Sequence, residues 1–135
     1  MSERSYFLDT NIVSDLLRNP RGRAASAILA VGEDTICISA IVASELHYGA
    51  AKSGSTRIAH MVEELLREVP ILAYEPPADR HYGRIRAELE AKGQSIGAND
   101  LLIAAQALAN NLILVTDNVR EFGRISELTI ENWLR

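Results

Sequence analysis

The chain has 135 residues, 47% apolar and 24% charged, which is the balance of one soluble domain with room for a sizeable core. A formal net charge of −4 excludes a simple basic nucleic-acid binder. Cys37 is the one cysteine, so no internal disulfide can form; it reads as a buried strand thiol in a protein of the reducing cytoplasm.

Tyr6-Phe7-Leu8 is a short apolar run and reads as a buried strand. Residues 11–18 place Ile12, Leu16 and Leu17 on one helical face. Residues 23–31 do the same with Ala24, Ile28 and Val31, and Gly32 stops that helix. A second strand is expected over 35–38. Ser39 then caps a helix over 40–51 carrying Ile41, Val42, Leu46 and Gly49. A helix over 55–68 carries Ile58, Met61, Val62, Leu65 and Leu66. The run 71–73 is the weakest strand. Pro76-Pro77 makes a turn inside the domain, and a helix over 77–92 carries Tyr82, Ile85 and Leu89 to Gly93. Residues 99–109 are apolar on most sides, which predicts a buried helix. Strands over 112–115 and near 128–130 complete the pattern. Strands alternating with helices give an α/β fold with a mainly parallel sheet, in a single domain over 1–135 without linker or repeat. Glu3, Arg4 and a short apolar stretch before Asp9 do not make a signal peptide. No apolar run nears the roughly 20 residues that a membrane helix needs.

Four acids abut these core segments. Asp9 follows the first strand. Glu45 lies among Ile41, Val42 and Leu46, one turn from Ile41 and Gly49, where the apolar stripe is expected. Asp100 precedes Leu101-Leu102-Ile103-Ala104-Ala105, and Asp117 follows the strand over 112–115. Parallel sheets bind ligands at the carboxyl ends of their strands. Asp9 and Asp117 stand there, and the helices carrying Glu45 and Asp100 can share the same crevice. Burying an unpaired carboxylate costs several kcal/mol, and most of these acids have no Lys or Arg beside them in sequence. A divalent metal would supply the missing charge, which points to hydrolysis or phosphoryl chemistry. Each acid also has an ordinary use. Asp9 can cap a helix, Glu45 can pair with an arginine, Asp100 suits a helix N-terminus, and Asp117-Asn118 can be a turn. It is the combination that argues for metal. The same four acids equal the net charge, so metal binding would leave an otherwise balanced surface and an anionic substrate open.

His47, His60 and His81 lack metal-ligand spacing. Neither a Ser-His-Asp arrangement nor a glycine-rich phosphate loop occurs. Arg80, Arg84, Arg86, Arg120 and Arg124 are either solvated helix faces or phosphate contacts at the rim of the acidic cleft.

Four segments in this order carry a family resemblance: Leu8-Asp9-Thr10-Asn11; Ile38-Ser39 with Ser44-Glu45-Leu46-His47-Tyr48-Gly49-Ala50; Ile96-Gly97-Ala98-Asn99-Asp100-Leu101; and Val115-Thr116-Asp117-Asn118-Val119-Arg120-Glu121-Phe122. The chain resembles PIN-domain ribonucleases and, more narrowly, VapC toxins of type II toxin–antitoxin pairs. The resemblance implies a three-layer α/β/α sandwich with a central, mainly parallel sheet. It implies Mg2+ or Mn2+ held by Asp9, Glu45 and Asp100, with the fourth position falling to Asp117 or to Asn118, both open. Thr116 would orient the site through its hydroxyl. The implied activity is an endoribonuclease that cleaves RNA, a tRNA anticodon loop in particular, by metal-activated water. The implied partners are a cognate VapB-like antitoxin and a second copy of the chain. Two other readings compete. An aspartyl phosphatase with Asp9 as nucleophile usually needs an acid two residues on, where this chain has Asn11. A non-catalytic module would use the acids to bind a basic partner.

Overall fold

The computed structural model describes residues 5–135. Among them, β1 (Tyr6–Leu8), β2 (Ile36–Ser39), β3 (Ile71–Leu72), β4 (Ile113–Val115) and β5 (Ile130–Glu131) form one all-parallel sheet in the order β3-β2-β1-β4-β5. The helices are α1 (Thr10–Arg18), α2 (Arg23–Val31), α3 (Ala40–Ser53), α4 (Thr56–Glu68), α5 (Ala78–Ala91), α6 (Ala98–Ala109) and α7 (Val119–Phe122), with a 3-10 turn at Glu33–Thr35. From β1 the chain steps to β2 and β3. It then returns across the sheet to β4 and β5, reversing direction. Right-handed crossovers therefore put α1–α4 on one face and α5–α7 on the other, a three-layer α/β/α sandwich. Among the described residues no helix is long and apolar enough to cross a membrane.

The expected elements are present with shifted ends. Leu112 and Leu128 are buried outside any strand, the last strand falls at Ile130–Glu131 instead of 128–130, and α7 was not anticipated. The central strands are apolar on both faces because both are covered. Phe7, Cys37, Ile38 and Leu114 have no exposed surface. Truncating Leu114 to Ala would cost roughly 2–5 kcal/mol. α6 is buried nearly all round, from Leu101 through Ile103–Ala107.

Local signals set the helix ends. Gly32 adopts φ 96° after α2, as its role as a stop predicts, and Gly54 closes α3 at φ 65°. Ser39 caps α3 by accepting from the Ile41 N–H at 2.9 Å. Its hydroxyl also donates to Oε1 of the buried Gln106, whose amide reaches the carbonyls of Leu72 (3.2 Å) and Ala73 (3.1 Å). This network ties α6 to the ends of β2 and β3 and leaves no buried side-chain polar atom unsatisfied among the described residues.

Candidate active site

In this strand order the chain leaves β1 toward β2 on one side, while β4 lies on the other. Crossovers run to opposite faces of the sheet at that point, so a crevice opens at the carboxyl ends of β1 and β4. Asp9 follows β1 directly and Thr116 follows β4. Glu45 arrives from α3 on one face of the sheet and Asp100 from the first turn of α6 on the other.

Asp9 is 4% exposed and serves as the N-cap of α1, so its capping and site readings coexist. Its Oδ1 accepts from the Thr10 N–H at 2.8 Å. Its Oδ2 accepts from the Thr116 hydroxyl at 2.7 Å and from Asn11 Nδ2 at 3.2 Å. No cation pairs with it among the described residues. Burial raises its pKa, the bonds from Thr116 and Thr10 pull it down, the charge of Glu45 raises it, and the bond from Asn11 lowers it; the net shift is upward.

Glu45 sits at the margin of the apolar stripe. The buried face of α3 runs through Val42, Leu46 and Ala50, and Gly49 is exposed, which corrects the expected register. Glu45 Oε1 accepts from the Thr10 hydroxyl at 2.7 Å. Asp100 is half-buried. Burial first, then the charges of Asp9, Glu121 and Glu45, push its pKa up to about 6.

Past β4 the side chains alternate. Thr116 turns toward Asp9, Asp117 away and Asn118 back in. Asp117 Oδ1 accepts from Asn132 Nδ2 at 3.0 Å and from Arg135 Nε at 3.3 Å, while its N–H donates to Asn11 Oδ1 at 3.0 Å. Asn118 Nδ2 instead lies 3.4 Å from Asp100 Oδ2. Of the two positions left open in the sequence, the geometry brings Asn118 into the cleft. It gives the Asp117 carboxylate structural partners in Asn132 and Arg135.

Three site residues had no assigned role in the sequence. Thr10 holds Glu45. Asn11 bridges Asp9, Thr116 (3.4 Å) and the Asp117 backbone. Glu121 adds negative charge beside Asp100. Glu121 is three residues past Asn118, one helical turn, and that spacing was the available signal. The histidines lie elsewhere: His47 is 3.8 Å from Glu63, His60 3.7 Å from Glu64, and His81 beside Arg84. Arg84 bonds Glu127, Arg86 bonds Glu90 at 3.0 Å and Arg124 bonds the Ser95 carbonyl at 3.0 Å, so these three are engaged by the fold. Arg80 and Arg120 have no such partner among the described residues.

The donor set is made of hard oxygens, and among the described residues no cation pairs with Asp9, Glu45 or Asp100. Among the described residues no three Asp, Glu, His or Cys side chains are gathered closely enough to hold an ion as they stand. Mg2+ does not require such a cage. It keeps several waters and is commonly held by one or two carboxylates together with substrate phosphates. Asp9 and Asp100, each disfavoured as an anion by burial and by neighbouring acids, fit that mode, with Glu45 alongside.

The PIN domain family matches residues 6–128. Ribonuclease VapC2 of Haemophilus influenzae is 40% identical over 132 residues, covering 96% of this chain and 98% of that protein. The tRNA(fMet)-specific endonuclease VapC of Shigella flexneri is 36% identical over 129 residues, 95% of this chain and 97% of that protein. VapBC2 from Rickettsia felis, solved bound to a DNA fragment from their promoter, matches with a TM-score of 0.87 at 37% identity, covering 98% of this chain and 99% of that one. A parallel sheet with an acidic crevice at its switch point and near full-length likeness to these proteins have one common account: the chain belongs to the PIN domain family, in its VapC branch.

Proposed function

We propose that this chain is a metal-dependent endoribonuclease and the toxin of a VapBC-type pair, cutting RNA at the Asp9–Asp100 crevice. The observation that carries the reading is the placing of two carboxylates, Asp9 and Asp100, at the switch point of the sheet with Glu45 close by and no cation paired with either among the described residues; burial and neighbouring acids push both pKa values up. Asp9 and Asp100 would hold Mg2+ or Mn2+, with Glu45 in support. A bound ion supplies Lewis acidity, activating water and offsetting charge on the phosphate.

The chain's own groups arrange the rest. Thr116 and Asn11 hold the rotamer of Asp9 and favour its ionised form against the effect of burial. Thr10 holds one oxygen of Glu45, leaving the other to orient the attacking water. Asn118 steadies Asp100. Asn11 also disfavours a phosphatase, because the position that would carry a second acid is committed to Asp9, Thr116 and the Asp117 backbone.

The substrate we infer is a structured RNA with an exposed single-stranded loop, the form in which a scissile bond reaches a recessed crevice. The Shigella relative, a tRNA(fMet)-specific endonuclease, directs attention to the anticodon loop of initiator tRNA. The partner we infer is a VapB-like antitoxin, in line with the VapBC2 complex of Rickettsia felis; the homodimer that the resemblance to VapC toxins implies is part of the same proposal. The compartment is the cytoplasm, where Cys37 stays reduced.

The test is expression with and without the neighbouring antitoxin gene. Wild-type chain alone should arrest growth and cleave tRNA, co-expression should relieve the arrest, and Asp100→Asn should do neither harm nor cleavage. Robust growth with soluble wild-type chain would overturn the toxin assignment.

A further inference from the structure

We propose that the cleft between the end of α1 and the start of α2 is an anion site that holds the RNA phosphodiester backbone away from the scissile bond. The proposal rests on the ribonuclease reading and deepens it. The active-site crevice gathers Asp9, Glu45, Asp100 and Glu121, so it repels the polyanion it acts on. RNA affinity must come largely from cations elsewhere, in a chain whose net charge is −4.

Four arginines are already paired with acids. Arg67 pairs with Glu64, Arg84 with Glu127 and Glu88, Arg86 with Glu90, and Arg135 with Asp117. Arg80 and Arg120 also lack a side-chain partner among the described residues, but Arg18, Arg21 and Arg23 are gathered in one place. All three are exposed, all line one cavity of about 570 Å³, and among the described residues their guanidinium groups have no hydrogen bond or ion pair. Asp15 is the acid in that lining, and its Oδ1 already accepts from Asn19 Nδ2 at 2.8 Å. Three positive charges against the one acid, Asp15, leave the cavity lining with a net positive charge. Guanidinium forks are matched to phosphate oxygens, which they bind in pairs.

Leu134 lines the cavity, and the next residue, Arg135, bonds Asp117, which follows Thr116 at the end of β4. Along α1, the nine residues from Thr10 to Arg18 span about 13 Å. One strand a few nucleotides long can occupy both sites.

The experiment measures binding of a fluorescent anticodon-arm RNA hairpin by anisotropy in EDTA, from about 50 to about 200 mM salt. Wild type is compared with Arg18→Gln/Arg21→Gln/Arg23→Gln and with Arg67→Gln as a charge control. The triple variant should bind at least about 10-fold more weakly, with a log–log salt slope shallower by about two to three. Arg67→Gln should match wild type. The single reversal Arg21→Glu, at an exposed position, repeats the test if the triple variant unfolds. Unchanged affinity and slope in folded variants overturn the proposal. So does lost affinity for an acidic partner peptide with RNA binding intact. Cleavage by wild type in Mg2+ is scored separately. Cleavage with no arginine effect sinks the cleft alone, whereas absence of cleavage sinks the ribonuclease reading and the cleft with it.

Discussion

The hydroxyl of Thr116 donates to Oδ2 of Asp9 across 2.7 Å, joining the ends of β4 and β1 at positions 107 residues apart in the chain. The Thr116 Oγ1 also accepts from the Asn118 N–H at 3.0 Å, so this hydroxyl aligns the residues on both sides of the crevice. Thr116→Val keeps the volume and deletes the bond. Asp9 then loses the largest influence holding its pKa down. We expect the Mg2+ concentration for half-maximal cleavage to rise about 10–100-fold, the usual consequence of removing a group that orients a metal ligand. The rate at saturating Mg2+ should fall far less. A Mg2+ titration identical to that of wild type would contradict this role.

Asp117 and Asn118 are neighbours with opposite assignments, and single substitutions separate them. Asn118→Ala should slow cleavage about 10-fold or more, because Asp100 loses its side-chain hydrogen-bond partner. Asp117→Ala should leave cleavage within a few-fold of wild type. Its effect should be on stability, on the order of 1 kcal/mol, from the lost contacts to Asn132 and Arg135. Cleavage rates and thermal melts of both variants give the answer. The reverse ranking would put the Asp117 carboxylate in the metal set after all.

The contrast between these two residues shows where sequence reading stops. Short apolar runs at 6–8 and 112–115 betray buried strands, and Ser39 and Gly32 mark helix ends, because those signals act within a few residues. The all-parallel sheet follows from the alternation of elements. The strand order that creates the switch point does not, since it depends on contacts between residues far apart in the chain. Asp117 and Asn118 are equally polar and adjacent. Which one turns inward is decided by the alternation leaving β4 and by partners at 132 and 135. Glu121 lies on α7, four residues long, where only its one-turn spacing from Asn118 marks it and no apolar periodicity shows. Arg18, Arg21 and Arg23 are visible as letters, but their lack of acid partners is visible only in three dimensions.

Asp100 makes stability depend on pH in a stated direction. Its pKa is about 6 in the fold and 3.8 unperturbed, so between those values the folded chain holds the extra proton. Stability without metal therefore falls as pH rises through that window, and the penalty is fully present above about pH 6. Because the group is half-exposed, the penalty is on the order of 1 kcal/mol after solvent screening. Asp100→Asn should remove it, making the EDTA-treated variant more stable than wild type at pH 7.5 and nearly equal at pH 4. Mg2+ should raise the melting temperature of wild type and not of the variant. Denaturant melts across pH supply the comparison. A wild-type advantage at pH 7.5 in EDTA would refute the idea that this carboxylate lacks a counter-charge.

Cleavage of RNA at the acidic crevice by metal-activated water can be read from the ends it leaves. The most direct test incubates purified chain with total tRNA and Mg2+, repeats the reaction in excess EDTA, and maps the ends. Water attack leaves the ribose 2′-hydroxyl uninvolved, so the products should carry a 3′-hydroxyl and a 5′-phosphate, and EDTA should stop the reaction. Cleavage that persists in EDTA, or that leaves 2′,3′-cyclic phosphates, would show that the carboxylates at Asp9 and Asp100 serve some other chemistry.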